Sequence, residues 1–123
     1  MKNDLLNKIL KDRKLARLGD SYINFVYSLA LSNKKGEPCG IKVSDKLLFE
    51  GAKKSRIREL LPKRMERGMV ANAIESLLVY AWLKKVMSLD EAVEILCKEL
   101  NDPSEAIARL SLEAIKRLNW KHE

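Results

Sequence analysis

The sequence is short of most residues that build compact reactive sites. Its one histidine, His122, lies at the C-terminal end, and its two cysteines, Cys39 and Cys97, are far apart in unlike settings. No Cys-x-x-Cys pair or His–Cys cluster exists, which argues against zinc. Two lone cysteines in a basic chain with no leader segment predict reduced thiols acting as small apolar fillers, and a cytoplasmic protein. Only three prolines and five glycines occur in 123 residues, so there is little material for long loops. No uncharged apolar run of about 18 residues occurs, which excludes a membrane-spanning helix. The longest apolar run, 76–83, suits a buried helix. Strand alternation and internal repeats are also missing. What remains is helix, and the expected fold is all-α: one domain over 1–123 with about seven helices.

Acid is the scarcer charge. Lys and Arg number 24 against 17 Asp and Glu, a net charge of +7. On so small a domain this points to anionic partners, nucleic acid before an acidic membrane. The plainer alternative is a solvated lysine-rich surface. At 46% hydrophobic and 33% charged, the composition fits a soluble globular domain with a real core.

Helical periodicity divides the chain. Asp4 is a candidate N-cap for a helix over 4–11 carrying Leu5, Leu6, Ile9 and Leu10. A second, mostly buried helix is expected over 15–31, with Leu18, Tyr22, Phe25, Val26 and Leu29 as its inward stripe, widened by Ile23, Tyr27 and Ala30. Residues 33–40, with two glycines and a proline, read as a loop. Ser44 or Asp45 caps a helix carrying Leu47, Leu48, Phe49 and Ala52, and Ser55 caps a short one over 57–61. Gly68 reads as a stop signal before a very apolar, central helix over 69–86. Ser88-Leu89-Asp90-Glu91 forms a capping box. Asp102-Pro103 opens the last helix, with Ile107, Leu110, Ala114, Ile115 and Leu118 inward. Tyr22, Tyr27 and Trp82 belong either to the core or to an interface, with the core as the preferred place for each.

Two acids stand out because they fall on the two most apolar helices. Asp20 follows Gly19 and is the sole acid between Asp12 and Glu37; Glu75 lies on the 69–86 helix, one turn after Asn72. Gly19 costs a helix about 0.5–1 kcal/mol relative to alanine, which makes sense where another backbone or a ligand comes close. A buried carboxylate must be paired, protonated or metal-bound. One outcome is a salt bridge to Arg17, Arg64 or Arg67. The other is that folding joins the two acids into an oxygen site for Mg²⁺, with waters left on the ion.

Leu18-Gly19-Asp20-Ser21 before an apolar helix resembles the signature helix of ribonuclease III. Asn72-Ala73-Ile74-Glu75-Ser76-Leu77 resembles that family's second motif, Asp-x-x-Glu-Ala-hydrophobic, and a basic segment precedes it as in the family. The resemblance covers residues 15–100. It is closest to short forms without a double-stranded RNA-binding domain, the mini-III and short archaeal ribonuclease III-like proteins. It implies an endoribonuclease that hydrolyses double-stranded or structured RNA with Mg²⁺ or Mn²⁺, acts as a homodimer, and leaves a 5′-phosphate. Asp20 and Glu75 carry over as catalytic and metal-binding residues, and Asn72 sits at a third metal position. Ala16 and Asn72 replace two of the full family's four acids, although mini-III proteins also carry a small residue at the first place. Weaker metal binding follows, and with it two rival readings: an RNA-binding protein with a reduced site, or a helical adaptor without nucleic acid. For RNA contact the densest basic region is Lys53, Lys54, Arg56, Arg58, Lys63, Arg64 and Arg67, with Lys54, Arg64 and Arg67 as principal candidates.

Overall fold

A computed structural model describes residues 3–118. Among them are α1 (Asn3–Leu10), α2 (Arg13–Lys35), α3 (Asp45–Lys54), a 3₁₀ turn (Ile57–Leu60), α4 (Arg67–Leu83), α5 (Leu89–Lys98) and α6 (Pro103–Arg117), and no strand. The all-α expectation is met, with six α-helices and the 3₁₀ turn accounting for the seven segments. None of these helices is long and apolar enough to cross a membrane. His122 lies outside the described residues.

Helix α4 is the axis of the core, packed by α1, α2, α3 and α6, while α5 closes the far side against α2 and α6. Its residues Val70, Ala71, Ala73, Ile74, Leu77, Leu78, Val79 and Ala81 are buried. Apolar residues on nearly every side of a helix are expected only where neighbours surround it. The caps form as the sequence predicts at Ser44, at Ser88 with its reciprocal Glu91 partner, and at Asp102 ahead of Pro103. Gly51 lets α3 approach α6 closely, because a Cβ there would collide with Ile107.

Several local expectations shift. Asp4 lies in the first turn of α1 instead of capping it, and α2 begins at Arg13 because Asp12 takes the N-cap, accepting the Leu15 N–H at 3.1 Å. Gly68 stops nothing: it lies in the first turn of α4. The 57–60 segment is 3₁₀, entered through Arg56 in the left-handed region, and Ser55 closes α3 as well as meeting the Ile57 N–H. On α2 the buried set is Ala16, Gly19, Tyr22, Ile23, Val26, Tyr27, Ser28 and Ala30. Leu18 (45% exposed) and Phe25 (56%) point outward. Trp82, placed in the core by its apolarity, is 41% exposed and lies against the Tyr22 ring, 6.2 Å between centroids.

Candidate active site

The site begins with a glycine. Helices α2 and α4 cross where Gly19 meets the backbone of Glu75, and a Cβ on Gly19 would overlap the Glu75 carbonyl and come within 2.9 Å of its Cβ. Real Cβ atoms do not tolerate such contacts, so only glycine lets the helices meet here. The crossing is pinned nearby, where the Ser76 hydroxyl donates to the Asp12 carbonyl at the α1–α2 joint (3.2 Å). The residue following Gly19 is therefore carried to the mouth of the pocket in which Glu75 sits.

That pocket, of about 1030 Å³, is lined by Asp20, Asn72 and Glu75 together with Ala16, two further acids, Asp12 and Asp45, a set of cations and several apolar side chains. Folding thus joins the three residues that the motifs proposed for the metal. Asp20 has 44% of its side chain exposed, while Glu75 is 4% exposed. The two carboxyl groups are near enough for Asp20 to raise the pKa of Glu75. Burial pushes the Glu75 carboxyl up to about 8; Asp20 and the negative charge of Asp45 push the same way, and Lys42 opposes them. At neutral pH the protonated form of Glu75 is therefore favoured.

The competing arrangement, each acid locked to an arginine, is not what forms. Among the described residues Asp20 meets Lys42 Nζ at 3.9 Å and no arginine, and Glu75 has no basic partner. Arg17 and Arg64 line the same pocket. Asp20 Oδ1 also accepts a bond from Asn24 Nδ2 at 3.3 Å.

The proposed RNA contacts separate. Arg64 lines the pocket. Arg67 lies over the Phe49 ring at 5.7 Å, and Lys54 turns away to Asp102 on α6, with both oxygens within 3.1 Å. Lys53 and Arg56 pair with Glu50 and Glu59. Arg58 donates to the carbonyls of Pro62 (3.0 Å) and Lys63 (2.8 Å) and so braces the loop that presents Arg64. The pocket's other cations are Lys11, Arg13, Arg17 and Lys42; sequence reasoning named none of them for RNA contact and weighed Arg17 only as an ion-pair partner of the acids. The basic run 11–14 was visible, but nothing in one sequence says that it folds beside Glu75. Asp45 was read only as a cap, and it faces the first turn of α4, where a Cβ on Gly68 would lie 3.7 Å from its Oδ2.

No group of three His, Cys, Asp or Glu arranged for a metal occurs among the described residues. The donor set nevertheless fits a divalent cation of the Mg²⁺ kind. Asp20 and Glu75 line one pocket, Glu75 has no basic partner among the described residues, and a doubly charged ion matches the charge of two carboxylates. Mg²⁺ commonly takes one or two carboxylates and keeps waters, and Asn72 supplies a neutral carbonyl oxygen on the pocket wall.

A comparison with curated proteins returns no match. A family model described as Ribonuclease III matches residues 13–119, from the start of α2 past the end of α6. With most of its length inside that match and an all-helical fold around the Asp20 and Glu75 motifs, this chain belongs to the ribonuclease III family.

Proposed function

We propose that this protein is a metal-dependent endoribonuclease that cuts double-stranded or structured RNA. The observation that carries the reading is the meeting of Asp20 and Glu75 in a solvent-reachable pocket that Lys11, Arg13, Arg17, Lys42 and Arg64 also line. Phosphodiester hydrolysis needs anionic oxygens to hold a divalent cation and positive charge to hold the backbone on either side. Asp20 and Glu75 supply the former, with Asn72 as a neutral ligand, and Mg²⁺ bound there would polarise a phosphate oxygen and acidify a water. Arg64, Arg17, Arg13 and Lys11 face the phosphates. Glu75 gives up its proton when the site is loaded, and its burial keeps the carboxylate from drifting into solvent. Leu18 and Phe25, apolar and outward on α2, support the homodimer that the family implies, so that two sites address two strands.

Ala16 lines the pocket one turn before Asp20, and Asn72 one turn before Glu75, at the places where full-length members carry acids. That favours a second reading, RNA binding without cleavage. One experiment separates the two. The purified chain is incubated with duplex RNA and Mg²⁺ or Mn²⁺, beside Asp20→Asn. Cleavage is expected, falling about 100-fold or more in the variant. Retarded but uncut RNA establishes the second reading, and failure to retard RNA even at low salt removes both in favour of a helical adaptor.

A further inference from the structure

Four polar side chains stand one turn apart along α2: Asp20, Asn24, Ser28 and Ser32. Three of them dock the chain that returns from the loop. Ser32 Oγ accepts the Cys39 N–H at 2.9 Å, Ser28 Oγ accepts the Ile41 N–H at 2.9 Å, and Asn24 Oδ1 accepts the Val43 N–H at 2.7 Å. Every second residue of 39–43 thus meets every fourth residue of the helix, in antiparallel order. The steps match because four helical residues rise about 6 Å and two extended residues advance about 6.6 Å.

The last rung reaches the site. A carboxamide has one accepting and one donating end, and the Val43 N–H can be answered only by the oxygen. That choice turns the Asn24 NH₂ toward Asp20, where it donates to Oδ1 at 3.3 Å. Asp20 Oδ2 is left on the side where Lys42, carried by the same docked segment, approaches to 3.9 Å. We propose that Asn24 is the positioning residue of Asp20: its carboxamide, oriented by the Val43 N–H, holds Oδ1 and thereby presents Oδ2 to the cation. The inference rests on the metal-dependent reading above and adds the residue that aims its exposed carboxylate. Partners of this kind orient ligands and change metal affinity or activity by about 10–100-fold when removed.

Three variants test it in the full chain. Mn²⁺ binding is read by isothermal titration without RNA, and cleavage by steady-state kinetics on duplex RNA. Asn24→Leu removes both bonds at nearly constant volume; the Mn²⁺ dissociation constant rises about tenfold or more, kcat falls in step, and KM for RNA stays within about twofold. Asn24→Asp keeps the acceptor for Val43 and with it the docked segment, read as amide-exchange protection at Val43, but cannot donate to Asp20; kcat falls about tenfold with KM unchanged. Ser28→Ala removes a neighbouring rung and leaves Asp20 alone, so Mn²⁺ affinity and kcat remain those of the wild type while the thermal midpoint drops. Wild-type Mn²⁺ affinity in Asn24→Leu overturns the proposal, as does undiminished kcat in Asn24→Asp. An equal loss in Ser28→Ala overturns it too, because the ladder is then scaffold alone. A wild-type chain that takes up no Mn²⁺ overturns both this proposal and the reading on which it rests.

Discussion

Glu75 is an acid where the fold has little room for charge, and the consequence is a pH-dependent stability of definite sign. Its carboxyl rests near 4.5 when free and about 8 in the folded chain, chiefly through burial and then through Asp20. Below pH 4.5 it is protonated in both folded and unfolded chains, and its favourable contribution is fully present. Between 4.5 and 8 only the unfolded chain releases the proton, so stability falls as pH rises, levelling above 8. Glu75→Gln imitates the protonated acid at nearly the same volume. In metal-free buffer the variant should unfold at the same urea concentration as the wild type at pH 4. At pH 8.5 it should be about 1–3 kcal/mol more stable, less than the whole shift converts to, because neighbours and water relax around a charge. An equal gap at both pH values would show that the proton is not held there. Adding Mg²⁺ at pH 8.5 should raise the wild-type midpoint and leave that of Glu75→Gln nearly unchanged.

At the scale of elements, the sequence was legible where local chemistry decides the outcome and opaque where distant segments do. Capping at Ser44, Ser88 and Asp102, the central place of α4 and the close approach at Gly19 all follow from side chains within a turn or two of the feature. The inward face of α2 does not. Its apolar residues cover two overlapping stripes that share Tyr22 and Val26, and the side carrying Ile23 and Ala30 is chosen over the one carrying Leu18 and Phe25 because Gly19 fits against α4. The Asn24–Ser28–Ser32 ladder was visible as a polar row at helical spacing, but its partners are backbone groups of 39–43 that carry no sequence signal. The end of α4 was placed at Val86, and the helix closes at Leu83. Lys85 explains the overrun. It adopts φ 62°, its N–H bonds to the Trp82 carbonyl (2.9 Å) and the Val86 N–H to that of Ala81 (3.1 Å), the pair of bonds that terminates a helix in a Schellman motif. Glycine usually occupies this left-handed place and lysine disguises it. Lys85→Gly should therefore stabilise the domain by about 0.5–1 kcal/mol, the relief of left-handed strain less the added freedom of the unfolded chain. A thermal midpoint raised by about 2–4 °C is the expected reading, and a lowered midpoint would mean that the lysine stem contributes packing that outweighs its backbone strain.

For the molecule as a whole, the excess of seven positive charges matters less than where it lies. Lys11, Arg13 and Arg17 reach the pocket from the α1–α2 joint, Lys42 from the segment docked on α2, and Arg64 from the loop braced by Arg58. Cations from segments remote in sequence thus gather at the pocket that holds Asp20 and Glu75, while Lys54 and Arg56, from the densest basic stretch, are engaged with Asp102 and Glu59. A charge excess acting only through the general field would make every lysine equivalent for RNA binding, whereas a cluster at the pocket makes a few decisive. Reversing Arg17 and Arg64 together, both to Glu, and reversing the exposed Lys98 and Lys116, which do not line the pocket, lower the net charge equally. The Arg17/Arg64 pair should weaken duplex RNA binding about tenfold or more in Ca²⁺ buffer and flatten the slope of log affinity against log salt by about two. The Lys98/Lys116 pair should change affinity less than about threefold and leave the slope in place. Equal losses from the two pairs would mean that RNA answers to the net charge of the domain and not to the pocket. The acidic pair would then have no means of selecting the phosphate beside it, since an active site needs its backbone contacts to converge on the bond that it cuts.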